Sequence, residues 1–155
     1  MFMKKIITMS IALGVASMAI PLSAPAHASG ADAVEYRQQA FKMIRANFGQ
    51  ISDMVRGQAE FDADAVRTRA NALKHLSHIP FDAFTGAGYR VTENSDTLPA
   101  AWDNWDDFQS KAEAFQKAAY ELAEAAESGD ARAIRPRFMA TARTCQQCHE
   151  DYRAD

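Results

Sequence analysis

Residues 144–155 read TCQQCHEDYRAD. They contain the only two cysteines of the chain, Cys145 and Cys148, and His149 follows the second directly. On a helix, positions i, i+3 and i+4 share one face. Both sulfurs and the imidazole then point at one object beside the last helix, while Gln146 and Gln147 stay in solvent. C-x-x-C-H is the attachment signal for c-type haem: the thiols join the two vinyl groups as thioethers, and His149 binds the iron. Zinc is a rival, but it asks for a fourth ligand. A disulfide with a surface histidine is the plain alternative, although so small a loop gains little chain entropy. No methionine follows His149, so any sixth ligand comes from upstream.

The other end of the chain sets the compartment. Lys4 and Lys5 precede an apolar run from Ile6 to Ile20, and Ala26-His27-Ala28 fits the small-x-small cleavage rule. Residues 1–28 therefore read as a secretory signal peptide. The alternative of a membrane anchor is weakened by the shortness of the run and by Pro21 and Pro25 at its end. The lysine pair points to a bacterial export route, hence to the periplasm. Residues 29–155 remain as one domain, long enough to bury a single core. Removing the two lysines takes the formal charge from −3 to −5. No basic stripe argues for nucleic acid, and no later segment reads as a membrane span.

The rest of the chain reads as helix. Val34, Phe41, Phe48 and Val55 recur every seven residues with Ile44 and Ile51 between them, one buried stripe over residues 31–56. Gly57 ends it. A second helix over 64–78 turns Val66, Ala70, Leu73 and Leu76 inward and stops at Pro80. A connection over 79–99, IPFDAFTGAGYRVTENSDTLP, is long enough to suggest a function. The third helix starts at 100 or 102 and runs to 127, with Trp105, Phe108, Ala112, Phe115, Ala119, Leu122 and Ala126 inward. The fourth spans 131–152. The fold class is all-α, an antiparallel four-helix bundle.

AVEYRQQAFKMIRANFGQ, the IPFDAF turn and TCQQCHEDYR together make the chain similar to the cytochromes c′. The last stretch is the most specific, because it joins C-x-x-C-H to Asp-Tyr-Arg at the chain's end. The resemblance covers residues 31–155. It implies a periplasmic homodimer with one covalent haem c per chain, a high-spin five-coordinate iron, and binding of nitric oxide and carbon monoxide. Near relatives of that family are low-spin and take a first-helix methionine as sixth ligand.

The decision between those two kinds rests on Phe41 and Met43. Two residues are about 200° apart around a helix, so the two side chains point nearly opposite ways. Phe41 lies on the stripe, where the resemblance places the distal residue; a phenyl ring caps the iron without ligating it. Its plain alternative is an ordinary core position. Met43 lies off the stripe; Met54, on the same outer side, and Met139 read as packing rather than ligation. Arg37 interrupts the apolar stripe, and a buried guanidinium needs a partner. A haem propionate supplies one, with Gln38 assisting; a snorkelling arginine is the alternative. Phe81 and Phe84 are candidates for the distal wall. Arg153, four residues after His149, either shapes the proximal side or serves as a cation at a helix C-terminus. His75 and His78 face away from their stripe and read as solvated. The first helix also offers Ala40, Met43 and Met54 as an outer surface for a second copy.

Three functions compete. A gas-binding haem protein, with a redox role alongside through a periplasmic partner, follows from an apolar distal residue and a missing sixth ligand. A low-spin electron carrier requires Met43 to turn inward. An enzyme such as a peroxidase needs a polar acid–base group above the iron, and the first-helix stripe offers none, so a non-enzyme is expected.

Overall fold

The computed structural model describes residues 27–154. The proposed signal peptide thus falls almost wholly outside the described residues. The helices are α1 (Gly30–Val55), α2 (Ala63–Leu76), α3 (Ala100–Asp103), α4 (Trp105–Glu127) and α5 (Ala131–Tyr152). Among the described residues there is no strand, only an isolated bridge between Thr97 and Arg153. α1, α2, α4 and α5 form the antiparallel four-helix bundle. None of the described helices is long and apolar enough to cross a membrane.

Local chemistry sets the helix ends. Ser29 accepts from the Asp32 amide to start α1. Asp62 accepts from the Asp64 and Ala65 amides at α2, and Asp130 from the Arg132 amide at α5. Such caps satisfy amides that have no partner inside the helix. α1 ends before Gly57, whose φ of +74° suits a residue without Cβ.

The third helix is not continuous. It breaks at Asn104, φ −117° and ψ +50°, which closes α3 and opens α4. The apolar spacing runs across the break, because Trp102 and Phe108 pack in one cluster on either side of it. Periodicity therefore conceals the interruption.

The buried stripe of α1 also differs from the seven-residue series. Ala33, Val34, Arg37, Ala40, Ile44, Ile51 and Val55 are buried, whereas Phe41 and Phe48 are only half-buried. Ala40 is 1% exposed and so does not belong to an outer surface. Inside the bundle one cluster joins Ile51, Leu73, Leu122, Ile134 and Phe138. A second joins Phe84, Trp102, Phe108 and Tyr152. α1 packs on α2, α2 on α4, and α4 extensively on α5, while α1 and α5 touch sparingly. Their meeting points include the stacked rings of Phe48 and Phe138, with centroids 4.6 Å apart, and Arg135, which donates to the Val55 carbonyl at 2.7 Å.

The connection over residues 77–99 is ordered by short 3-10 turns at Asp82–Phe84 and Gly86–Gly88. Gly88 is required there. A Cβ would stand 2.0 Å from the Ala83 carbonyl oxygen and 3.0 Å from the Ala33 side chain.

Candidate haem site

α5 runs unbroken through Cys145, Cys148 and His149 to Tyr152. Both thiols are free and half-buried. Burial raises the Cys145 thiol pKa, and it pushes Cys148 up to about 11. His149 is accessible at the surface. Partial desolvation, and then the charge of Arg153, hold its imidazole below the ordinary pKa. Both favour the neutral form, which ligates metals.

Cys145 packs against the first cluster and Cys148 against the second. Phe41 and Phe81 pack against both, and their rings meet edge to face at 5.9 Å. Four half-buried side chains thus gather where the two cores adjoin, three from the inner sides of α1 and α5 and Phe81 from the crossover loop. Covering such rings fully is worth roughly 25 cal/mol per Å², and the protein leaves that gain unrealised here. A broad apolar group held by two sulfurs fits the junction. An ion alone does not: among the described residues, no group of three His, Cys, Asp or Glu side chains could hold one. Cys145, Cys148 and His149 therefore do not converge on a single point, as zinc would require.

Arg37 is 1% exposed. It donates to the Val91 carbonyl at 2.6 Å, to Ser95 Oγ at 3.1 Å and to the Ala83 carbonyl at 3.4 Å. Its guanidinium lies over the Phe84 ring, 4.6 Å from the centroid. Desolvation lowers its pKa. The snorkelling alternative fails, since the whole side chain is enclosed. Arg37 fastens the crossover loop to α1, a task that spacing along α1 did not suggest. Its Nε remains buried without a partner. An unmet charged donor is costly, and a carboxylate side group at that edge would meet it. The residues present therefore fit a haem.

The remaining candidates are distributed as follows. Gln38 donates to the Asn94 carbonyl at 2.7 Å, beside Arg37 on the same loop. Phe84 is 3% exposed and belongs to the second core beneath Arg37, so Phe81 alone of that pair stands at the junction. Arg153 is not on the helix face of His149. It is extended, φ −122° and ψ 135°, just past the end of α5, with its Nε 4.0 Å from Asp96. Its charge still reaches His149. Met43 is 48% exposed and Met139 43%; Met54 packs against the first cluster. His75 and His78 are exposed, as expected.

Spacing missed the support of the last turn of α5. Tyr152, 5% exposed, donates to Asp107, which also accepts from Lys111 at 2.8 Å. Lys111 reaches Asp151 at 3.2 Å. The signal was present: Asp107 and Lys111 are four apart on one helix, and Tyr152 follows Cys148 by four.

A helical bundle that carries C-x-x-C-H on its last helix, facing an aromatic junction, defines a c-type haem protein of the four-helix class. The chain belongs to the Cytochrome C' family, whose sequence model matches residues 32–153. Its cofactor is accordingly a covalently attached haem c. It is 38% identical over 122 residues to a cytochrome c' of Alcaligenes xylosoxydans xylosoxydans, covering 79% of this chain and 93% of the relative. The solved cytochrome c prime of Shewanella frigidimarina superposes with a TM-score of 0.77 at 39% identity, over 83% of this chain and 98% of that one. A nitric oxide complex of a variant cytochrome c prime from Alcaligenes xylosoxidans gives 0.76 at 35% identity, over 83% and 99%.

Proposed function

We propose that this protein is a periplasmic, high-spin haem protein that takes nitric oxide or carbon monoxide at an open axial position behind Phe41. The observation that carries this reading is the contrast between Phe41 and Met43. Phe41 stands half-buried at the junction shared by Cys145 and Cys148, while Met43 is 48% exposed on the far side of α1. When bound, the haem supplies an iron able to take a diatomic gas.

The chain's own residues do the rest. Cys145 and Cys148 hold the group covalently, and His149 gives the one protein ligand. Phe41 and Phe81 exclude water and bulky molecules from the opposite side. Arg37, with Gln38 beside it, steadies the propionate edge while closing the loop. Arg153 lends positive charge near the proximal side. The nitric oxide complex of the Alcaligenes relative supports the choice of ligand. A dimer through the exposed side of α1 and a role in electron transfer belong to the same reading. Gly30 to Val55 exposes Tyr36 and Met43 for the former.

The deciding experiment is the visible absorption spectrum of the reduced protein before and after carbon monoxide or nitric oxide. A high-spin spectrum that shifts with gas is expected. A sharp low-spin spectrum indifferent to gas would replace this reading with a methionine-ligated electron carrier.

A further inference from the structure

α5 differs in charge from α4, its main neighbour in the bundle. α4 carries six acids against two lysines, whereas α5 carries four arginines against two acids. Contacts orient each helix. On α1, Asn47 accepts from Arg69 of α2 and marks the α2 side. Arg45, four residues after Phe41, and Arg56, eight after Phe48, lie on the opposite flank, toward α5. On α5, Arg137 pairs with Glu121 and Thr141 donates to the Ala118 carbonyl, marking the α4 side. Arg135 donates to Val55 at the end of α1 and marks the other side. Arg143 and Arg132 stand about 80° and 60° further round from Arg135, on the outer face of α5 beside the seam.

These five arginines are exposed. The side chain of Arg132 is 96% exposed, with only a 3.8 Å contact to Asp130. Arg45, Arg56, Arg135 and Arg143 form no ion pair among the described residues, although the protein as a whole is acidic. The acids on the same flanks are Glu35, Asp53 and Glu150. Met139, 43% exposed, lies between Arg135 and Arg143 and gives the patch an apolar centre. Unpaired cations along a seam that leads to Phe41 and Cys145 do little for folding, since exposed charges contribute little to stability. A concentrated field of one sign steers a partner of the other sign.

We propose that the α1/α5 seam is the docking surface for an acidic one-electron carrier protein. This rests on the gas-binding reading above, because that reading needs a supply of ferrous iron. One electron passes from the carrier's reduced centre to the ferric iron; the carrier is oxidised by one electron, and no proton or group is transferred. The arginines shorten the search and set the orientation that brings the carrier to the open side of the bundle.

The test uses the haem-loaded protein and a reduced flavodoxin as an acidic probe. Calorimetry gives its binding, and stopped-flow absorbance gives the rate of iron reduction. Binding and rate are both expected to fall as ionic strength rises. The pair Arg45→Glu with Arg143→Glu should weaken binding tenfold or more. The pair Lys74→Glu with Lys117→Glu changes net charge equally on α2 and α4 and should leave it within twofold. Arg45→Gln with Arg143→Gln, a milder pair, should fall between. Equal loss in the α2/α4 pair would reduce the effect to overall charge and overturn the proposal. So would salt-independent binding, or dissociation of a dimer by the seam variants in sedimentation, which would make the seam a contact between copies. Carbon monoxide difference spectra of the same samples report separately on the axial site. A low-spin result there would remove the gas-binding reading and leave the docking result standing.

Discussion

The rings of Phe41 and Phe81 meet edge to face with centroids 5.9 Å apart. One comes from α1 and the other from the crossover loop, so the cap over the junction closes only when the loop is seated. Phe41→Ala should open it. Carbon monoxide association, followed by flash photolysis, is expected to accelerate about tenfold, equivalent to about 1.4 kcal/mol off the entry barrier. The stability cost should be about 1–3 kcal/mol, less than for a fully enclosed ring. An unchanged rate would place the barrier elsewhere.

Met43 provides the matching control. Its side chain is 48% exposed, so Met43→Leu should change neither the spectrum nor, beyond about 0.5 kcal/mol, the stability. Phe41→Met moves a thioether onto the inner stripe and is expected to shift the iron toward low spin. Loss of a low-spin spectrum in Met43→Leu would mean that α1 turns in solution.

Arg37 joins α1 to Val91, Ser95 and Ala83. Arg37→Met keeps much of the volume but removes every donor, leaving three acceptors without it. A loss of about 2–4 kcal/mol in urea unfolding is expected, since hydrogen bonds from a charged donor are worth about 1.5–3 kcal/mol. Amide hydrogen exchange should rise first over residues 83–95. Arg37→Lys should rescue little, because one ammonium cannot reproduce the guanidinium fork.

Tyr152 makes the last turn of α5 sensitive to alkali. Burial first, then its bond to Asp107, pushes the phenol up to about 12 from an ordinary 10. A group whose folded pKa is raised contributes stability that is complete below the unfolded pKa and is lost as pH rises through the folded one. Stability should therefore fall between about pH 10 and 12, and Tyr152→Phe should flatten that limb in pH-dependent urea titrations. Asp107 acts at the other extreme. Lys111 first and Tyr152 second lower its pKa, so its contribution fades as pH drops through the carboxylate range.

The sequence by itself determined most of the helical layout and the cofactor, and proposed Cys145, Cys148 and His149 as the residues that hold it. Apolar spacing of 3 and 4 and C-x-x-C-H are local codes, legible because a helix converts separation along the chain into direction. The same geometry correctly turned Met43 outward and His75 and His78 to solvent. Only the tertiary structure decided which members of the α1 stripe are enclosed. Ala40 is buried and Phe41 half-open because of what stands opposite each of them, and spacing within one helix carries no information about its neighbours. It also broke the third helix at Asn104, gave Arg37 its loop carbonyls, drew Phe84 into the second core and moved Arg153 off the end of α5. The contacts of Arg37, Phe84 and Arg153 depend on partners tens of residues away, whose approach is set by packing across the bundle rather than by any one segment.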